Sequence, residues 1–156
     1  MRFVIILWVS ALLASMASAE DLTQREGWVV MPTPKPFDQL VDDVKAAVTA
    51  NKMGVVTQAG PTEAAKARGI TIPGNRVIGV FNNIYAVRIL QLSTAAMIEA
   101  PIRMYVTENA DGTATLSYKT PTLVFTPYMA AADPDLATVA QELDDIFESI
   151  AQAALQ

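Results

Sequence analysis

Residues 100–121 read APIRMYVTENADGTATLSYKTP, and the alternation within them decides the fold. Ile102, Met104 and Val106 alternate with Arg103, Tyr105 and Thr107, and Ala114, Leu116 and Tyr118 alternate with Thr115, Ser117 and Lys119. A period of two marks half-buried strands, each with one apolar and one polar face. Asn109-Ala110-Asp111-Gly112 lies between them as a hairpin loop, with glycine where positive φ is needed. A hairpin this late in the chain forces at least one antiparallel strand pair.

Upstream, residues 28–31 (Trp-Val-Val-Met) form a compact apolar run that predicts a first strand. Pro32, Pro34 and Pro36 are expected to stiffen a turn after it. A helix follows, with Pro36 suited to its first turn and Asp38 near the positive end of its dipole. Phe37, Leu40, Val41, Val44 and Val48 recur at steps of three and four on one face. Gly54 stands where a left-handed stop would end that helix. Strands are expected at 55–59 and 77–81, and helices at 61–68, stopped by Gly69, and at 84–92.

Downstream, 122–129 is apolar but interrupted by Pro127, which reads as an edge strand at best. The chain closes on a long helix with Asp133 as N-cap and Pro134 as its first residue. Leu136, Val139, Ala140, Leu143, Phe147 and Ile150 are its buried stripe. The order β-α-β-α-β-α-β-β-α predicts an α+β two-layer sandwich, a mostly antiparallel sheet with helices packed on one face. The first and last helices are expected to cover that face. The domain is expected to span 28–156, after a polar lead-in at 20–27.

The first nineteen residues carry a different signal. A charged start at Arg2, an apolar run from Phe3 to Leu13 and the exit Ala17-Ser18-Ala19 make a secretory leader. The apolar run is short for a membrane span, which needs about 20 residues. Cleavage after Ala19 would leave 137 of the 156 residues, with 10 basic and 16 acidic side chains and a net charge of −6. That charge disfavours nucleic acid as a partner. The chain has no cysteine and no histidine, so disulfides, thiol chemistry, imidazole bases and ordinary zinc sites are excluded. No GxGxxG or phosphate-binding loop is present.

Few residues point to chemistry. Asp42-Asp43 and Asp144-Asp145 are adjacent on helices, so their carboxylates diverge and read as solvated faces. The Asn109–Gly112 turn fails as a calcium loop, because Thr107 and Tyr118 fall where carboxylates are required. The polar hairpin face is more interesting. Arg103, Tyr105, Ser117 and Lys119 are expected to cluster on the sheet face away from the helices. Ile78 and Val80 are expected to join them, and Asn82 and Asn83 extend the candidate face. Such a face should be covered by a second copy of the chain, by a small anionic or amphipathic ligand, or by the 122–129 segment.

Several segments in order are similar to the domain-of-unknown-function 302 family of small bacterial and archaeal proteins: NKMGVV, AAKARG, NRVIGVFNN, the 100–121 hairpin and the final helix. The resemblance covers about residues 28–153 and is most specific in the hairpin. It implies a two-layer α+β fold like that of the TATA-box-binding protein, with dimers in some members and no established activity or cofactor. Where the family has glycine-asparagine-proline after the third strand, this chain has Asn82-Asn83-Ile84. Where many members have a histidine near the end of the second strand, it has Gln58-Ala59-Gly60. The sequence is thus read as an exported, periplasmic or secreted, non-catalytic binding or accessory module that homodimerises without a cofactor or metal. The alternatives are a small hydrolase or isomerase using Asn82, Asn83, Arg103 and Tyr105, or a structural partner in an envelope complex.

Overall fold

A computed structural model describes residues 22–156. The leader expected at 1–19 and the first two residues of the lead-in lie outside the described residues. The hairpin forms as its alternation requires. Strands β4 (Ile102–Glu108) and β5 (Thr113–Lys119) pair antiparallel, Met104 opposite Tyr118 and Val106 opposite Leu116. The connecting loop closes with Asn109 N donating to Thr113 O at 2.8 Å, and Gly112 takes φ +83°.

Three more strands complete one five-stranded antiparallel sheet, with β1 (Trp28–Pro36) on β5, and β3 (Asn75–Phe81) on β4 followed by β2 (Gly54–Ala59). Helices α1 (Phe37–Ala50) and α5 (Asp135–Leu155) pack together over one face. Leu40, Val44 and Val48 meet Val139, Phe147 and Ile150 above Ile78, Met104, Val106 and Leu116, all essentially inaccessible to solvent. The α+β sandwich read from the sequence is therefore the fold. Two shorter helices, α2 (Thr62–Lys66) and α3 (Asn83–Leu92), lie near the positions expected for them.

Several local expectations are corrected. The prolines of 32–36 do not end the first strand, because β1 is an edge strand and runs through them. Val30 N donates outward to Gln24 Oε1. Pro32 shares its phase, so proline stands where an outward donor would otherwise be unpaired. Pro34 and Pro36 fall where the β1–β5 register shifts. Second, Gly54 does not stop α1. Lys52 takes the left-handed conformation at φ 59°, and Asn51 and Met53 N–H groups already close on the Ala47 and Val48 carbonyls. Gly54 instead opens β2.

The third correction is the largest. Residues 122–129 are not an edge strand but most of helix α4 (Pro121–Met129). Thr120 is its N-cap, accepting from Leu123 N at 3.2 Å, and Pro121 occupies the first turn. Asp144 of α5 completes the cap, accepting from Thr122 N at 2.8 Å and Thr122 Oγ1 at 2.6 Å. Pro127 lacks the N–H that would bond back to Leu123, and the helix ends two residues later. Phe125 anchors it, fully buried in the core. α4 and a 3₁₀ turn at Ala96–Glu99 wrap the sheet end nearest Lys119 and Ile102.

α5 starts one residue later than expected, with Pro134 rather than Asp133 at its N-cap and no side-chain cap bond, although Asp133 still braces the first turn. Asp133 Oδ1 accepts from Asp135 N at 3.0 Å, and Asp133 O accepts from Leu136 N at 3.0 Å. At its end, Lys35 Nζ from β1 donates to Ala154 O at 2.8 Å and to Asp43 of α1 at 2.7 Å, tying three elements together.

The reading of Asp144 and Asp145 as a solvated face is corrected for Asp144, which is half-buried and caps α4, while Asp145 is exposed. Asp144→Ala removes the acceptor for two α4 donors and should lower stability by about 1–2 kcal/mol in urea unfolding. Asp145→Ala, on the exposed side of the same helix, should change it by less than about 0.5 kcal/mol. Equal effects would remove the capping role given to Asp144.

Candidate functional site

The face of the sheet away from α1 and α5 is set by register. Tyr105 of β4 stands between Ser117 of β5 and Val77 of β3, and Ser117 stands between Tyr105 and Val30 of β1. One step along, Trp28 pairs with Lys119 and Gly79 with Arg103. Because Met104 faces Tyr118, the next residues, Arg103 and Lys119, stand directly opposite each other on this face. Gly79 keeps the neighbouring position low: a Cβ there would lie 2.1 Å from Thr57 Oγ1 and 2.8 Å from the Pro101 ring.

A groove of about 520 Å³ opens here. Its floor is Tyr105 and Ser117, its flanks are Trp28 with Lys119 and Arg103 with Glu99, and its apolar end is Leu123, Val124 and Pro127 of α4. Ser117 is 1% exposed, a buried hydroxyl beneath the groove that donates to Tyr105 O at 3.5 Å. The Tyr105 hydroxyl accepts from Asn75 Nδ2. Lys119 Nζ sits 5.2 Å from the Trp28 ring, and the Arg25 guanidinium covers the same indole at 4.2 Å. Glu99 accepts from the Tyr128 hydroxyl at 2.6 Å and approaches Arg103 only to 4.0 Å. The bond to Glu99, with some burial, raises the Tyr128 pKa above its ordinary value.

Four of the eight residues expected to share a face are brought together in the groove: Arg103, Tyr105, Ser117 and Lys119. The other four are elsewhere. Ile78 and Val80 point into the core on the helix side, opposite Met104 and Ile102 and 0% and 2% exposed. Strand 77–81 is apolar at nearly every position, so alternation gave it no phase; pairing with β4 supplies one and brings Val77 to the groove. Asn82 caps α3, accepting from Ile84 N at 2.8 Å and Tyr85 N at 3.3 Å while donating to Lys52 O at 2.9 Å. It borders a separate cavity of about 30 Å³ on the helix side. Asn83 is exposed in the first turn of α3 and does not line the groove. Trp28, Val77 and Glu99 were not expected in the face. The 122–129 segment was expected as one of its covers, and it reaches the face as helix α4 rather than as a strand. The Thr120-Pro121 cap signature was the available clue to α4.

Comparison with known proteins agrees with this architecture. The model of the family described as "Domain of unknown function DUF302" matches residues 29–154. The chain belongs to the DUF302 family. Among solved structures it is similar to an uncharacterized conserved DUF302 protein from Bacillus stearothermophilus, with a TM-score of 0.73 at 16% identity, over 85% of this chain and 100% of that one. At that identity the likeness concerns the fold. No curated protein matches the chain.

Four further charged residues of this DUF302 protein, outside the groove, are engaged locally. Asp111 accepts from Thr113 N at 3.0 Å and Thr113 Oγ1 at 2.6 Å, and these bonds lower its pKa. Glu108 accepts from Gly74 N at 2.6 Å. Arg88 and Glu142 form a two-pronged pair at 2.6 and 2.9 Å between α3 and α5, which lowers the Glu142 pKa. Among the described residues no group of three His, Cys, Asp or Glu side chains could hold a metal, and no helix is long and apolar enough to cross a membrane.

Tyr118 lies under the groove, 5% exposed and 5.7 Å from the Phe147 ring. Burial, with the nearby Glu148 and Asp144 carboxylates, pushes its pKa up from 10.0 to about 12. Between those values the unfolded chain loses this proton and the folded chain keeps it, so stability falls as pH rises. The loss should reach about 2 kcal/mol across that window. It is measured as the difference between the protein and Tyr118→Phe in urea unfolding at pH 9.5 and 11.5. Parallel losses in the two proteins would contradict the assignment.

Proposed function

We propose that this DUF302 protein is an exported, non-catalytic binding module that homodimerises and holds a small molecule on the open face of its sheet. The groove carries this reading: a concave, largely apolar site with a few polar groups, of the size small-molecule sites have, about 300–1,000 Å³. Two features favour binding over catalysis. Among the described residues, Glu99 is the one carboxylate lining the groove, and it is held by the Tyr128 hydroxyl. The constellation required by a hydrolase or isomerase reading is also divided, with Asn82 and Asn83 apart from Arg103 and Tyr105. Export rests on the leader pattern of residues 1–19.

The test is mass spectrometry of the protein recovered from the periplasm of a bacterial host. The intact mass should correspond to a chain beginning at Glu20, and native spectra should show a small-molecule adduct lost on denaturation. Filling the groove with Val124→Trp should abolish the adduct. An adduct that survives this substitution would move the site elsewhere.

The two sheet edges favour a dimer through β2. Both edges carry a register irregularity, β1 between Thr33 and Pro36 and β2 between Val55 and Thr57, but only the outer edge of β1 is also obstructed by prolines. β2 (GVVTQA) is an edge strand with no charged side chain, and Val56 is 52% exposed. Uncharged edges are the ones that recruit a further strand. Antiparallel pairing of β2 with its own copy opposes no like charges, and one open edge per subunit closes at two copies. Light scattering should give twice the monomer mass, and Val56→Lys with Gln58→Lys should give the monomer. A monomeric wild-type protein at high concentration would refute the dimer.

A further inference from the structure

We propose that the groove takes an amphipathic monoanion, a single carboxylate on a short apolar body, with the carboxylate seated between Arg103 and Lys119. This rests on the reading of the groove as a ligand site and adds the ligand's chemical class.

The charge arrangement is the starting point. Arg103 and Lys119 stand opposite each other on adjacent strands, facing the same way, and like charges in that relation are destabilising. The chain as a whole carries a net charge of −5, yet its acids do not neutralise this pair. Lys35, Lys45 and Arg88 each reach a carboxylate within 2.7 Å. Among the described residues Arg25, Lys52, Lys66, Arg68 and Arg76 form no ion pair either, so Arg103 and Lys119 are set apart by facing each other across β4 and β5. Arg103 comes no closer than 4.0 Å to Glu99 and is 64% exposed. Among the described residues no carboxylate lies within 4.0 Å of Lys119, which leans on the Trp28 ring instead. An anion placed between the two cations relieves their repulsion and gains a charge-assisted bond from each.

Glu99 sets the valence. It faces the same groove, so two cations and one carboxylate leave the lining with one net positive charge. A second negative charge on the ligand would meet Glu99, which favours a carboxylate over a phosphate dianion.

The apolar body follows from what adjoins the cations. Leu123, Val124 and Pro127 of α4 and Val77 of β3 line the groove with no hydrogen-bonding side chain among them. Beneath it, Ser117 donates to the Tyr105 carbonyl and the Tyr105 hydroxyl accepts from Asn75. A purely polar anion would leave the α4 wall unpaired with anything, whereas an aliphatic chain covers it.

The experiment titrates isotope-labelled full-chain protein with octanoate, octanol, octylamine and octyl phosphate, following the Trp28 indole and Tyr105 amide signals by NMR. Octanoate should shift both signals saturably, at least ten-fold tighter than octanol, octylamine or octyl phosphate. Arg103→Gln with Lys119→Gln should weaken octanoate at least ten-fold and leave octanol unchanged. Both side chains are exposed, and an otherwise unchanged spectrum verifies that the variant is folded. If octanol or octylamine binds as tightly as octanoate, the groove is a binding site but the carboxylate assignment is overturned. If octyl phosphate matches octanoate, the valence argument fails. If no amphiphile moves either signal, the ligand class fails, while an adduct in the native spectra that Val124→Trp removes would still uphold the groove as a site.

Discussion

Met104 faces Ile78 on one side and Tyr118 on the other, and this three-strand register fixes which side chains the helices cover. A slip of one residue on β4 would expose Ile102, Met104 and Val106 and drive Arg103 and Tyr105 beneath α1 and α5. An unpaired guanidinium there would have to be desolvated, at a cost of several kcal/mol. The register is therefore enforced from both faces. The same constraint that builds the core gathers Arg103, Tyr105, Ser117 and Lys119 on the uncovered side.

A five-stranded sheet with helices on one face leaves two further problems, the bare face and the two edges. The edges are treated unequally. β1 has prolines, and Gln24 takes up an outward N–H group. β2 has neither proline nor charge. The bare face is partly screened by the chain itself. α4 departs from β5 at Thr120, where Asp144 of α5 holds its first turn. Because Phe125 of the same helix is sunk in the core, Leu123, Val124 and Pro127 stand at the groove's end as a fixed wall.

Much of this was legible in the sequence wherever two faces differ in polarity. The alternation of 102–107 and 114–119 gave the hairpin, and the three-four spacing of α1 and α5 gave the helices and their buried stripes. Where polarity does not alternate, the reading failed. Strand 77–81 is apolar on both faces, and only its pairing with β4 could show that Ile78 and Val80 point inward while Val77 points to the groove. Segment 122–129 is apolar all round, so a short helix and a strand could not be told apart by periodicity. Pro127 tipped the reading toward a strand edge, although Thr120-Pro121 is a helix start. The proline run of 32–36 misled in the opposite sense, because an edge strand with outward-facing prolines looks like a turn until its neighbours are known. The groove was half legible for the same reason: its floor comes from alternation, its walls from register and from α4.

The floor and the walls answer different physical demands. Ser117 donates to the Tyr105 carbonyl and the Tyr105 oxygen accepts from Asn75, so each tolerates an apolar neighbour on that side. Arg103 and Lys119 are held by adjacent strands at a fixed spacing and cannot separate without breaking β4–β5 pairing. Glu99 arrives from the 3₁₀ turn and is anchored by Tyr128 of α4, so it screens Arg103 from one side only. Asp43 meets Lys35 at 2.7 Å and Glu142 meets Arg88 at 2.6 Å, whereas Glu99 comes only to 4.0 Å of Arg103. Within an acidic chain, two cations kept opposite each other beside an apolar wall are better satisfied by a partner that brings one negative charge and an apolar surface together.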